Sequence, residues 1–115
     1  MNLETFFTKL NSAPESVEFA ETMAVIDEHY EFTETAFSNG SLENQAGENS
    51  GSCKLFSFAK LNDLNKASTL ACFGHYYRDD VLKNPNASDH LNIRNFMNTG
   101  WQGISFVGNA LICKS

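Results

Sequence analysis

Two of the three histidines in this 115-residue chain lie in one polar stretch, residues 74–96. His75 and Asp79 are one helical turn apart, and Asp89 and His90 stand side by side before a second helical pattern. Imidazole nitrogens and carboxylate oxygens are ligands of Zn²⁺ and related metals, so these four residues can be drawn as a metal site. No H-E-x-x-H pattern supports it, however, and an exposed i, i+4 pair beside an acidic helix start explains the same residues.

Arg78 and Arg94 are further candidates in the same stretch. Each guanidinium either pairs with a neighbouring carboxylate or offers its planar fork to a carboxylate or phosphate of a ligand. Trp101, between two glycines, also has two interpretations: it covers the edge of the core or, if exposed, marks a partner surface.

A second stretch, "QAGENSGSCKLFSF" at residues 45–58, resembles a phosphate-binding loop at first sight. The G-x-x-x-x-G-K-[ST] pattern fails, because Gly47 and Gly51 are separated by only three residues and Leu55 occupies the hydroxyl position. A helix start at this point can still bind an anion through its free amides. Ser52, as the predicted N-cap, is expected to satisfy those amides instead.

Cys53 lies at that predicted helix start, where the helix dipole can activate a thiol and His75 or His90 can serve as a base. No flanking pattern of a thiol enzyme is present, and cysteine is among the most commonly buried residues, which favours a small apolar core residue. Together with Cys72 and Cys113 it makes an odd number without metal-ligand spacing. We therefore expect free thiols in a reducing compartment.

These side chains lead to one prediction, a polar binding cleft, and to two hypotheses for function. The leading hypothesis is an interaction or small-ligand-binding module whose partner is a protein or a small polar ligand. The alternative is a small enzyme, either metal-dependent through the His/Asp cluster or thiol-based through Cys53. No cofactor is identified by any motif. The predicted cleft residues are Asn49, Ser52, His75, Arg78, Asp79, Asp89, His90 and Arg94.

Composition restricts the class of protein. The hydrophobic fraction of 42% and the ten phenylalanines predict one packed domain over residues 1–115. The net charge of −6 disfavours nucleic acid and anionic membrane as partners, because both would repel an acidic surface. No apolar run approaches the roughly 20 residues of a spanning helix, and the N-terminus lacks a secretory signal, so we expect synthesis in the cytoplasm.

Apolar residues at helical spacing predict the elements that must position these side chains. Two local signals are specific: Ser12 and Glu15 have the spacing of a capping box, and Gly100 is placed to end a helix in a left-handed conformation. The predicted helices are a short one over 3–10, one from Ser12 to about residue 30, one capped by Ser52, one over 66–83 capped by Asn65, and one from a Ser88 cap to Gly100.

Two segments favour β-structure instead. Residues 32–45 are rich in β-formers and contain Asn39–Gly40, a pair typical of a type I′ hairpin turn. Residues 103–112 alternate around Gly108–Asn109, a second hairpin signal. Isolated hairpins are marginally stable, so the predicted fold class is α+β, with several helices packed on a small antiparallel sheet built from two β-hairpins.

Four blocks in one order carry a family resemblance: "TMAVIDEHYEFTETAFSNG", "GSCKLFSFAKL", "TLACFGHYYRDDVL" and "DHLNIRNFMNTGWQGISFVGNAL". Read together, they closely resemble the HopJ family, which is named after a type III secreted effector of a plant-pathogenic bacterium. The resemblance covers roughly residues 5 to 111. It implies a HopJ-like protein, export to a host cell by a type III apparatus and a host protein as partner, and it transfers no catalytic residue.

Overall fold

Over residues 2–114, the part of the chain that the computed structural model describes, five α-helices and five three-residue strands form an α+β fold, as predicted. The helices are α1 Leu3–Ser12, α2 Phe19–His29, α3 Ser50–Leu61, α4 Lys66–Ala71 and α5 Leu91–Thr99. The strands are β1 Tyr30–Phe32, β2 Phe37–Asn39, β3 Leu42–Asn44, β4 Ile104–Phe106 and β5 Leu111–Cys113. Shorter helical segments are Pro14–Ser16, the π-helical Tyr76–Val81, and Gly100–Gly103.

The first predicted hairpin is confirmed, with its turn displaced by one residue. Strands β2 and β3 pair antiparallel with Asn39 opposite Leu42, so Gly40 and Ser41 form the two-residue turn. Gly40 has a φ of 62°, whereas Ser41 has no positive φ. A type I′ turn needs positive φ at both central residues, so the predicted turn type is wrong.

The second predicted hairpin is wrong. Strand β4 pairs with β2, and β5 pairs with β1, so Gly108–Asn109 joins strands of different sheets. Neither residue of that pair has the positive φ that the hairpin turn requires. The described residues therefore contain two antiparallel sheets, ordered β3-β2-β4 and β1-β5, instead of one.

The predicted capping box at Ser12 is also wrong. Ser12 is the last residue of α1, and its Oγ donates to the Thr8 carbonyl at 2.8 Å. Helix α2 begins seven residues later, and its box is formed by Glu18 and Glu21, since the Glu21 carboxylate accepts from the Glu18 N–H at 3.1 Å. The S-x-x-E spacing at residues 12–15 straddles a helix end and the Pro14–Ser16 turn.

The predicted helix over 66–83 is interrupted at Gly74. Asn65 caps α4 as predicted, with its Oδ1 accepting from the Ser68 N–H at 2.8 Å. Gly74 then takes a φ of 63°, and a Cβ there would lie 2.6 Å from the Phe19 backbone nitrogen. The start of α2 therefore packs where a side chain would stand, and helical backbone resumes at His75, directly before the π-helical Tyr76–Val81.

Two predicted helix caps are not used. Helix α3 begins at Ser50, so Ser52 lies inside its first turn, and α5 begins at Leu91, three residues after Ser88. Gly100 ends α5 at the predicted position, but its φ of 59° and ψ of −152° lie outside the left-handed helical conformation that was predicted.

Helix α3 is the centre of the core. Its residues 55–59 are all buried, and Phe56 contacts the rings of Phe37, Phe73, Phe96 and Trp101. Trp101 follows the first of its two interpretations: it is partly buried against the core, and its Nε1 donates to the Leu64 carbonyl at 3.0 Å. Within residues 2–114, no helix is both long enough and apolar enough to cross a membrane.

Candidate functional site

A cleft of about 620 Å³ opens between the first turns of α3 and α5. Its volume lies within the range of small-molecule sites, and its lining combines apolar walls with a few polar groups. The apolar lining residues are Phe19, Leu42, Phe73, Tyr76, Leu91 and Ile93. The remaining lining residues are Asn49, Gly51, Ser52, Ser88, His90 and Asn92.

A network of asparagine side chains holds the two helix starts together. Asn92 of α5 accepts at Oδ1 from Asn39 Nδ2 at 3.0 Å and from Asn44 Nδ2 at 3.2 Å, and donates from Nδ2 to Asn44 Oδ1 at 3.1 Å. Asn49, before α3, donates to the same Asn44 Oδ1 at 2.7 Å. Asn39, Asn44 and Asn92 are buried, so the network is shielded from water.

Helices α3 and α5 begin in the same unusual way. The residues before them, Asn49 and His90, have left-handed φ values of 49° and 51°, and neither helix has a side-chain cap. No side-chain cap therefore satisfies the amides of the first three residues of each helix, whereas the fourth amides, of Cys53 and Arg94, donate to the Asn49 and His90 carbonyls. Gly51 and Ser52 of α3 and Leu91, Asn92 and Ile93 of α5 line the cleft, so the first turns of both helices form part of its wall.

Three of the eight predicted cleft residues line this cleft: Asn49, Ser52 and His90. The other five lie outside its lining, and each is paired with another group of the same chain. The predicted cluster is therefore not one site. Sequence reasoning missed Asn44 and Asn92, which join the two walls. The signal in the sequence that could have identified them is an asparagine at a position of a strand or helix start where an apolar core residue would be expected.

His75 and Arg78 belong to a cluster around Glu18. The Arg78 guanidinium donates to Glu18 Oε2 at 3.1 Å and to the Val17 carbonyl at 2.9 Å, while His75 Nδ1 lies 3.4 Å from Glu18 Oε1. The hydrogen bond from the His75 backbone N–H, together with Arg78, holds the pKa of the Glu18 carboxyl below its usual value. This cluster attaches the Tyr76–Val81 turn to the start of α2.

Arg94 and Asp89 form a local pair before and within α5. The guanidinium donates to Asp89 Oδ1 at 2.8 Å and to the Asn84 carbonyl at 2.9 Å. This hydrogen bond from Arg94 lowers the pKa of the Asp89 carboxyl. Asp79 similarly pairs with Lys83 at 3.1 Å, one turn along the chain. Both arginines therefore follow the first interpretation, pairing with a neighbouring carboxylate.

The metal hypothesis is not supported by the arrangement of its four residues. Within residues 2–114, no group of three or more His, Cys, Asp or Glu side chains is placed to hold a metal ion. His75 faces Glu18, whereas His90 Nε2 lies 3.2 Å from Asp80 Oδ2. The two histidines thus belong to separate pairs.

The thiol hypothesis is not supported by the surroundings of Cys53. Its side chain is buried beneath the helix start, with Sγ 3.4 Å from the Thr35 carbonyl, and burial raises the pKa of the thiol. A buried neutral thiol is a poor nucleophile. Cys72 is also buried, Cys113 is exposed, and all three are free, as predicted.

The fold and the site define a class: a small α+β domain with a ligand-sized cleft at the meeting point of two helix starts. Within that class the chain belongs to the HopJ family, because the family model described as "HopJ type III effector protein" matches residues 3–111. The resemblance seen in the four sequence blocks is thereby confirmed.

A crystal structure described as that of a protein of unknown function, VPA0580, has the same fold. Its TM-score is 0.98 at 56% sequence identity, over 99% of this chain and 95% of that chain. No curated protein matches the chain significantly. The comparisons therefore identify the family and the fold.

Proposed function

We propose that this protein is a ligand-binding module whose site is the cleft between the starts of α3 and α5. The observation that carries the proposal is the cleft itself, about 620 Å³ in volume and lined by apolar side chains with a polar rim. Binding sites for small molecules have this size and this mixed lining, since the apolar walls supply affinity and the few polar groups supply orientation.

The asparagine network supports the proposal because it makes the cleft rigid. Asn44 is bonded to Asn49 at one helix start and to Asn92 at the other, through distances of 2.7 to 3.2 Å. A site whose walls are already held in place loses little conformational freedom when a ligand binds. The polar rim adds His90 and the uncapped amides of both helices.

A fragment titration followed by ¹⁵N–¹H correlation NMR tests the proposal. Fragments that bind the cleft should shift the amide signals of residues 49–52 and 90–93. Ser88→Trp, which places a large side chain on an exposed lining residue, should abolish those shifts. Asn86→Trp, on the same loop but outside the lining, should retain them. The proposal fails if a broad fragment set shifts no signal in these ranges, or if Ser88→Trp leaves the shifts unchanged.

Family membership favours a second proposal, on where the protein acts. The matching family is described as type III effector protein, so we propose that a bacterial producer exports this chain through a type III apparatus and that a host protein is then its partner. A tagged chain should reach the medium only when the apparatus is intact, with a cytoplasmic enzyme as the control for lysis. Equal release from a strain with a disrupted apparatus would overturn this proposal.

A further inference from the structure

We infer that the cleft takes a planar aromatic ring system carrying an N–H or O–H donor. This inference rests on the proposed function, since it names the class of ligand for the same cleft. Two features carry it: a continuous aromatic wall, and the second ring nitrogen of His90, which is an acceptor in the neutral tautomer.

The aromatic wall is formed by side chains from separate segments of the chain. The ring centroids of Phe19 and Tyr76 are 5.3 Å apart, those of Phe19 and Phe73 are 6.2 Å apart, and those of Tyr76 and His90 are 5.4 Å apart. All four rings line the cleft. A flat aromatic guest can stack on such a surface or meet it edge to face, and these contacts exceed what an aliphatic group of equal area gains.

One ring nitrogen of His90, Nε2, faces the carboxylates of Asp80 and Asp89. Nε2 lies 3.2 Å from Asp80 Oδ2 and 3.9 Å from Asp89 Oδ2, and because a carboxylate only accepts, the neutral form of the ring has its proton on Nε2. Nδ1 then carries the lone pair. Among residues 2–114, no group hydrogen-bonds to that nitrogen, so it is available to accept from a donor on the ligand.

Three small probes separate these two features. Indole has a planar ring and an N–H donor, 1-methylindole has the ring without the donor, and cyclohexanol has a donor without an aromatic ring. Affinities are measured by the same NMR titration of the full chain, from the signals of residues 49–52 and 90–93. A single neutral hydrogen bond changes affinity about three- to tenfold, so indole should bind tighter than 1-methylindole by that factor.

Variants at His90 test the acceptor. His90→Phe keeps a ring and removes the nitrogen, and it should bring the ratio of indole to 1-methylindole affinity to about one. Because phenylalanine is strained at the φ of 51° found here, His90→Gly, which accepts that φ, is the second variant and should have the same effect. His75→Phe is the control, since His75 lies outside the lining, and it should keep the wild-type ratio.

The inference is overturned if wild-type protein binds both indoles equally, if the His90 variants keep the preference, or if cyclohexanol binds as tightly as indole. These results would leave the proposed function standing, because the probes would still bind the cleft. If none of the three probes shifts a cleft signal, the ligand class is wrong, and the broader fragment titration decides separately whether the cleft binds ligands.

Discussion

Asn92 is the residue of α5 that links this helix to the asparagine network beside the cleft. It is 5% exposed, and its side chain makes three hydrogen bonds to the buried Asn39 and Asn44. Buried amides cost free energy unless they are paired, so the value of this network depends on every member being present.

Removing the Asn92 side chain should destabilise the folded protein. We predict that Asn92→Ala lowers the free energy of unfolding by about 2 kcal/mol, because Asn39 and Asn44 lose three hydrogen bonds to this side chain while they stay buried. Their remaining bonds, to the Asn92 and Phe37 carbonyls and to the Asn49 amide, limit the loss. Urea denaturation measures the change. Asn98→Ala, at an exposed position of the same helix, is the control and should change stability by less than about 0.5 kcal/mol. Equal effects of the two substitutions would show that the network contributes no stability.

At the scale of elements, the starts of the helices decide which side chains reach the cleft. Helix α4 has an asparagine cap, whereas α3 and α5 begin after left-handed residues and leave their first amides without side-chain caps. The cleft is therefore built where the local rules for helix capping are not followed.

The caps can be tested by a pair of alanine substitutions. Asn65→Ala removes an observed N-cap and should lower the free energy of unfolding by about 1 kcal/mol. Ser52→Ala should change it by less than about 0.5 kcal/mol, because Ser52 lies within the first turn of α3 and caps nothing. Thermal denaturation of both variants gives the comparison. If Ser52→Ala lowers the free energy of unfolding as much as Asn65→Ala does, Ser52 acts as the helix cap that the sequence predicts.

The break after α4 depends on a single glycine. We predict that Gly74→Ala lowers the free energy of unfolding by more than about 2 kcal/mol, because the residue has a φ of 63° and its Cβ would lie 2.6 Å from the Phe19 nitrogen. Gly108→Ala is the matched control, since no atom lies within 4 Å of its Cβ and its φ is not positive. If chemical denaturation finds Gly74→Ala as stable as the control, the close packing of α2 on this turn is wrong.

At the scale of the whole molecule, one core unites the helices with both sheets around α3. Phe6 of α1, Phe37 of β2 and Leu111 of β5 are all buried in the same cluster. Cys53 and Cys72 lie in that cluster too, so the state of their thiols is coupled to global folding.

This coupling predicts a loss of stability at alkaline pH. Burial raises the pKa of Cys72 from 9.0 to about 12, so the folded state favours the neutral thiol while the unfolded chain ionises first. The stabilisation is complete below pH 9 and is lost as the pH rises towards 12. We expect the free energy of unfolding to fall by about 2 kcal/mol between about pH 8 and pH 10.5 from this group.

Cys72→Ala isolates the contribution of the Cys72 thiol to this pH dependence, because the wild type and the variant share the tyrosines and lysines that also titrate in this range. The variant should lose less stability than the wild type over the same pH interval, as measured by urea denaturation at each pH. A parallel decline of the two proteins would show that the Cys72 thiol ionises equally well in the folded state.

The sequence by itself determined the features that depend on near neighbours along the chain. The α+β class, the first hairpin, the Asn65 cap and the helix end at Gly100 all follow from signals within a few residues, because helix hydrogen bonds and tight turns join residues at most about four positions apart. Asn49, Ser52 and His90 were also found this way, as polar residues beside helix starts.

Only the tertiary structure decided which distant segments meet. Strand β4 pairs with β2 and β5 with β1, Gly74 breaks a helix because α2 packs on it, and Asn44 joins Asn49 to Asn92. None of these follows from local propensity, because each is set by burial of apolar surface and by pairing of polar groups that are far apart in the chain. The cleft is the product of those long-range contacts.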